Sequence, residues 1–267
     1  MNKEQEKINE IWTNGASNYN KIIDSEIESF RAEEWCRQIL DNAPWKDCLK
    51  ILDCGCGPGF FSVILARKGH TVHAIDASDG MMNFAKKRAE RYGLNIEFAI
   101  MDCHKLEYND DTFDLIVSRN VTHALREHRI VYREWKRVLK PGGVLLIFDA
   151  NWHLASPGGP EHEESNRRYV ECMKTYGSDF SGNVYDGDES KLIRSIKKTD
   201  AYTEEEFWKT TLKDKRRPDW DLGLLEGIEF GKITYDRDII EKLWDDKEKL
   251  IYGNTPMFMI RAVKARN

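Results

Sequence analysis

The chain has 267 residues, with 41 Lys and Arg against 46 Asp and Glu, giving a net charge of −5. That length suits one large α/β domain, or a domain with an insertion, and buries a core without staples, so the six scattered cysteines imply no disulfide scaffold. The acidic balance argues against a broad nucleic-acid footprint; the longest apolar run near a strand, VLLIF at 144–148, is far too short to span a bilayer; and the charged start MNKEQEKINEIW lacks the apolar stretch of a signal peptide.

These features lead us to expect a cytoplasmic protein with reduced thiols. Residues 1–49 read as mostly helical. Ser25 is a plausible cap for a helix carrying Ile27, Phe30, Trp35, Ile39 and Leu40 on roughly one face. From 50 to 151 strand and helix signals alternate. KILDCG (50–55) reads as a strand, FFSVILARKG (60–69) as a buried helix capped by Gly69, and TVHAID (71–76) as a second strand. Ser78 caps a helix that Gly93 stops. IEFAIMD (96–102) and FDLIVSRN (113–120) are strands three and four. HRIVYREWKRVL (128–139) has helical spacing, the Pro141–Gly142–Gly143 turn ends it, and VLLIFDAN (144–151) is strand five. Strands joined by helical crossovers predict a doubly wound parallel sheet, Rossmann-like, whose ligand lies at the carboxyl ends of the strands.

The pattern breaks over 152–225, which holds SPGGP, mixed charges and weak helix signals such as TEEEFWKTTL after Thr203. This segment reads as an insertion after strand five that folds over the sheet. Residues 226–267 return to strand, helix and strand: EFGKITY, DIIEKLWDDKEKL and PMFMIRAVK.

The glycine loop DCGCGPG at 53–59 carries most of the functional information. Cys54 and Cys56 are two apart in an extended segment and so face the same side, but zinc sites favour a wider spacing and a second pair, and no second pair exists. No metal is expected. A dinucleotide loop G-x-G-x-x-G would need its third glycine at 60, which is Phe60. Asp53 directs a carboxylate toward the ligand space, which a pyrophosphate would dislike and a cationic amine would welcome. Asp76, closing the second strand, is suited to accept from two ribose hydroxyls. A nucleoside joined to an ammonium group, with no phosphate, is S-adenosylmethionine.

Asp53-Cys54-Gly55-Cys56-Gly57-Pro58-Gly59 resembles the first motif of class I S-adenosylmethionine-dependent methyltransferases of the small-molecule type. HAIDASDGMM (73–82), MDCHKL (101–106), FDLIVSRNVTHAL (113–125) and EWKRVLKPGGVLLI (134–147) are similar to the later motifs, in order, so the likeness covers about 48–150. The resemblance implies seven strands with the last, PMFMIRAVK, antiparallel. It implies N-terminal helices that act as a lid, here IWTNGASNYNKII (11–23). It implies cofactor contacts at Tyr19, Asp53, Gly55, Gly57, Asp76, Ala77, Met81, Asp102, Cys103 and Arg119. Asp76 would hold the ribose, Asp102 the adenine amine, and Met81 would pack near the adenine. Trp12 of the lid is a further candidate contact, and the alternative for both Trp12 and Tyr19 is that they are ordinary core residues.

Methyl transfer needs a nucleophile in line with the sulfonium and a dry site, and in some cases a base. Strand four ends in Ser118-Arg119-Asn120, followed by His123, and strand five ends in Asp149-Ala150-Asn151-Trp152-His153. His123, His153 and Asn120 are the candidate catalytic residues, and Asp149 either orients a histidine or ends its strand. In the insertion, Arg216 and Arg217 are suited to hold an anionic group of the substrate or to form a solvated charge cluster. Trp220 is suited to stack on a flat substrate or to plug the insertion against the sheet, and Tyr169, Tyr176 and Tyr185 carry the same ambiguity. The expected function is methyl transfer to an N, O or S atom of a small molecule, with no nucleic-acid or membrane partner, by a monomer or homodimer. A cofactor-binding protein without turnover and an NAD-dependent oxidoreductase are the alternatives.

Overall fold

Apolar runs that do not alternate are what a parallel sheet covered on both faces requires. The centre of the chain is made of such runs. The structure, a computed structural model, describes residues 3–180, 182–202, 212 and 215–266. The strands are β1 (Lys50–Cys54), β2 (Thr71–Asp76), β3 (Glu97–Ile100), β4 (Phe113–Arg119), β5 (Leu139–Asp149), β6 (Ile233–Asp236) and β7 (Phe258–Val263). They form one seven-stranded sheet in the order β3-β2-β1-β4-β5-β7-β6. β1 to β5 are parallel, and β7 runs antiparallel to both β5 and β6. Strand order reverses between β1 and β4, so the carboxyl ends of these two strands flank the crevice where ligands of such sheets lie.

Helices α1 (Lys3–Ile27), α2 (Arg31–Asn42), α3 (Phe60–Arg67) and α4 (Asp79–Arg91) cover one face of the sheet. Trp35 of α2 is the pivot of that layer, with ring centroids 5.1 Å from Phe61 and 5.0 Å from Phe148. Removing so large a buried ring costs roughly 3–5 kcal/mol. α5 (His128–Val138) covers the other face with Val131, Trp135 and Val138.

Ser78 caps α4 by accepting from the Met81 amide at 3.2 Å, as the sequence predicts. Ser25 does not cap a helix. It lies inside the 25-residue α1, and the break falls at 28–30, where the Ser29 hydroxyl accepts from the Arg31 amide. Phe30, expected on the buried face, is 58% exposed. The Pro141–Gly142–Gly143 turn does not precede β5 but lies within it. Phe113 pairs with Leu139 and Leu115 with Val144, so the turn is a bulge in the β4–β5 register.

After β5 come α6 (Trp152–Ala155), α7 (His162–Tyr176), α8 (Glu189–Tyr202) and α9 (Asp219–Glu226). The helix expected from TEEEFWKTTL lies, apart from Leu212, outside the described residues. The single helix expected over DIIEKLWDDKEKL is two, Ile240–Leu243 and Asp246–Tyr252, because Asp245 forms a capping box with Glu248 and restarts the chain.

Candidate active site

The carboxyl ends of β1, β2 and β4 open into a cavity of about 730 Å³, closed from above by α1. Its floor is the glycine loop. Gly55 has φ +74°, and a Cβ there would sit 2.3 Å from Cγ2 of Val121. Gly57 has φ +51°, and a Cβ there would meet Tyr19 of the lid at 3.6 Å. Both positions therefore need a left-handed backbone, and Gly55 also needs a bare edge, whereas the contact at Gly57 is an ordinary one.

Asp76 ends β2 with its carboxylate in the cavity. One oxygen accepts from the Gly57 amide at 2.9 Å and the other from the Ser78 amide at 2.8 Å. Each carboxylate oxygen keeps a lone pair for a vicinal hydroxyl. Burial pushes its pKa up, opposed by those amides. Asp53 accepts from the Ser62 hydroxyl at 2.5 Å and is 2% exposed. Burial raises its pKa to about 7, with Asp76 adding to the push.

At the far end, Asp102 accepts from His104 Nδ1 at 2.6 Å and from Arg126 at 2.9 Å. Cys103 lines the same wall. A hydrogen bond with Cys54 and the neighbouring His104 bring its thiol down to about 7, against burial. Burial works against the charge on His104, but Asp102 and Cys103 push its pKa up to about 9. Donor atoms of Asp102, Cys103 and His104 lie within 4.8 Å of one another, and the Arg126 guanidinium already fills the cationic place beside Asp102. Cys54 and Cys56 do not face the same side. Cys54 packs in the α5 layer and accepts from Trp135 Nε1 at 3.1 Å, whereas Cys56 packs in the α1–α4 layer. The glycine loop turns the chain between them.

All ten residues expected at the cofactor line this cavity, Ala77 and Met81 included. Arg119 does so as one half of an ion pair with Glu26 of α1. Asn120, at φ +53°, accepts from Trp152 Nε1 at 3.3 Å and lies in hydrogen-bonding reach of the Tyr19 hydroxyl. His123 lines the cavity beside Trp12, with centroids 6.2 Å apart. Its Nδ1 is 3.1 Å from Asp149, which also accepts from the His123 amide at 2.8 Å and the Thr122 hydroxyl at 2.6 Å. Against the upward push of burial, His123 and Arg217 hold the Asp149 carboxyl far below the carboxylate range. Asp149 thus orients a histidine.

His153 does not join the cavity lining. Its Nε2 is 3.1 Å from the Lys215 carbonyl, which turns the ring toward the insertion. Arg217 does not face a substrate either. It is fully buried, paired with Asp149 at 3.2 Å and Asp221 at 2.7 Å. Arg216 is exposed and 3.9 Å from Glu161. Trp220 plugs the insertion against the sheet, its ring edge-on to His128 at 4.7 Å. Tyr169 donates to Asp179, and neither Tyr176 nor Tyr185 lines the cavity.

The sequence reading missed Glu26, Arg31, Phe180, Trp244, Glu248 and Tyr252, all of which line the cavity. Trp244 and Tyr252 sit in a segment assigned only to completing the sheet. Their eight-residue spacing is what a buried helix face would also give, so it carried no separate signal.

Residues 52–147 match the family model described as a methyltransferase domain. The chain is 33% identical over 170 residues to phosphoethanolamine N-methyltransferase 1 of Triticum aestivum, covering 61% of this chain and 33% of the relative. It is 32% identical over 120 residues to the ubiquinone biosynthesis O-methyltransferase of Dinoroseobacter shibae, covering 45% and 48%. The chain thus spans from a third to about half the length of these curated relatives. In fold it is similar to a protein of Methanococcus maripaludis, with TM-score 0.58, 18% identity and coverage of 96% and 94%. It is also similar to Haemonchus contortus phosphoethanolamine N-methyltransferase 2 in complex with S-adenosyl-L-methionine, with TM-score 0.55, 17% identity and coverage of 88% and 52%.

Proposed function

Because the core of this chain is a class I S-adenosylmethionine-dependent methyltransferase domain, we propose that the protein moves a methyl group from S-adenosylmethionine to an N, O or S atom of a small molecule. The observation that carries this reading is the pairing of Asp76 with the amides of Gly57 and Ser78 at the edge of the glycine loop. A carboxylate held as Asp76 is accepts from a ribose, and the Asp53 carboxylate at the start of the same loop is what a pyrophosphate would meet unfavourably and a cationic amine favourably. Asp53 faces the amino-acid end, and Asp102 and Cys103 face the base.

When bound, the cofactor supplies an electrophilic methyl group. The protein's part is to orient the acceptor and exclude water. Helix α1 closes the cavity. Asn120 and Tyr19 form its polar rim near the strand ends. His123 is the candidate base. Its Nδ1 donates to Asp149, which orients the ring at the cavity wall for taking a proton from the methyl acceptor. His153 has no role in this scheme. We further propose a cytoplasmic setting, a monomer or homodimer and no nucleic-acid partner. The described cysteines are all free, the net charge is −5, and no described helix is long and apolar enough to cross a membrane.

Calorimetric titration with S-adenosylmethionine, S-adenosylhomocysteine and NAD, in separate runs, tests the reading. Micromolar binding of the two adenosyl ligands and none of NAD is expected. Binding of NAD alone would overturn it.

A further inference from the structure

We infer that the acceptor end of this cavity is an aromatic cage for an ammonium group, so that the methyl acceptor is a cationic amine and the accepting atom is nitrogen. The inference rests on the assignment of the cavity to methyl transfer. The Tyr252 ring stands at the centre of a cluster, 5.6 Å from Trp152, 5.9 Å from Trp244 and 6.0 Å from Phe180. All four rings line the cavity together with Tyr19. They come from separate segments and meet beside Asn120, which holds Trp152 by its indole nitrogen. The faces of such rings attract cations, most strongly where water is excluded. An ammonium of the protein already uses one of these rings, since Lys247, which also lines the cavity, has its Nζ 4.7 Å from the Phe180 centroid.

Charge at this end points the same way. Arg31 faces two carboxylates, Asp245 at 2.5 Å and Glu248 at 2.6 Å. Arg119 is engaged by Glu26. Asp179 lines the cavity and accepts from the neutral Tyr169 hydroxyl at 2.9 Å and the Asn183 amide at 2.7 Å. Burial, with Glu248 and Asp179 adding, pushes the Tyr252 hydroxyl up, which keeps that ring neutral. An acceptor bearing phosphate would meet two guanidinium groups already paired, the Lys247 ammonium, and the carboxylates of Asp179, Asp245, Glu248 and Glu26, which outnumber these three cations. An amine would meet carboxylates and ring faces.

The chemistry suits the cage. The bound ammonium first gives up a proton, to His123 or to water; the lone pair so freed forms the N–C bond, and the S–C bond pair stays on sulfur. The positive charge leaves the sulfonium and appears on nitrogen. Ring faces stabilise the charge as it develops on nitrogen, which lowers the barrier more than it tightens ground-state binding.

The test is titration with choline, with its neutral isostere 3,3-dimethylbutan-1-ol, and with phosphocholine, read by tryptophan fluorescence with and without S-adenosylhomocysteine. We expect choline to bind about tenfold tighter than the isostere, and phosphocholine no tighter than choline. Tyr252→Leu and Trp152→Leu should lose the preference for choline while S-adenosylhomocysteine affinity stays within about twofold. Equal binding of choline and the isostere, or no binding of choline, would overturn the cage. Phosphocholine binding tenfold tighter than choline would replace it with an anion site. Failure of S-adenosylhomocysteine to bind would instead remove the cofactor assignment. The comparison of choline with its isostere, made without that ligand, would still decide the cage.

Discussion

Arg119 at the end of β4 and Glu26 near the end of α1 face each other through two hydrogen bonds, 2.9 and 2.7 Å long, with little of either side chain exposed. The guanidinium also lies 4.6 Å above the Trp35 ring, and Trp35 Nε1 donates to the same carboxylate. This pair fastens the lid to the sheet. Replacing Glu26 by Gln leaves a buried cation uncompensated, and the expected loss is about 3 kcal/mol. Urea unfolding measures it, and S-adenosylhomocysteine affinity should fall in the same variant because the lid loosens.

Asp76→Ala should reduce cofactor affinity by two orders of magnitude or more, since charge-assisted bonds to two hydroxyls are lost together. Calorimetry reads the change directly. Unchanged affinity would mean that the ribose lies elsewhere.

Asp53 predicts a pH dependence of cofactor binding. Its pKa in the empty protein is raised to about 7 by burial. A cationic ligand prefers the carboxylate, so below pH 7 the group must shed a proton before it can pair. Affinity should therefore weaken as pH falls from 8 to 6, with proton release on binding. Titrations in buffers of differing ionisation enthalpy measure that proton, and Asp53→Asn should flatten the profile at reduced affinity.

Gly55→Ala places a methyl group 2.3 Å from Val121 in a backbone with φ +74°. The left-handed conformation alone costs about 1–2 kcal/mol. Loss of stability and of cofactor binding are both expected. Adding Val121→Ala should relieve the steric part and leave the backbone part, which separates the two in a double-mutant cycle by thermal unfolding.

Cys103 should react with iodoacetamide at neutral pH, with a rate that rises through pH 7. Cys54 and His104 hold its thiol near that value, below the roughly 8.5 of a free thiol. Saturating S-adenosylhomocysteine should protect it, because Cys103 lines the cavity wall. Peptide mapping that finds Cys103 unlabelled without ligand, or equally labelled with it, would count against this placement.

The parts of the molecule legible in its sequence are those fixed by neighbours along the chain. The Ser78 cap, the left-handed Gly55 and Gly57, and the Asp76 strand end follow from contacts within a few residues or across one βα unit. Ser25 misled because a polar residue at a helix start and one on a helix face look alike locally. Ile23 and Ile27, on either side of it, pack into the sheet layer within an unbroken α1. Arg217 misled for a longer-range reason. Two arginines in a polar stretch look solvated, and the partner that buries one of them, Asp149, lies 68 positions away. His153 is two residues beyond Asn151, yet its ring follows the Lys215 carbonyl. The cage rings were unreadable because their meeting point exists only after the sheet, the insertion and the C-terminal helices have been assembled.

Asp149, the carboxylate that steadies His123, is neutralised in part by a guanidinium that the insertion carries. Arg217 is in turn held by Asp221, which accepts from the Tyr132 hydroxyl of α5 at 2.5 Å. The segment that roofs the acceptor therefore also completes the electrostatics beneath the histidine. It cannot be exchanged as a cassette. A chimera that grafts another roof onto this sheet, without an arginine at this point, would inherit a stranded anion under its imidazole. New specificity in this scaffold has to arise by changing side chains on the roof that is already there.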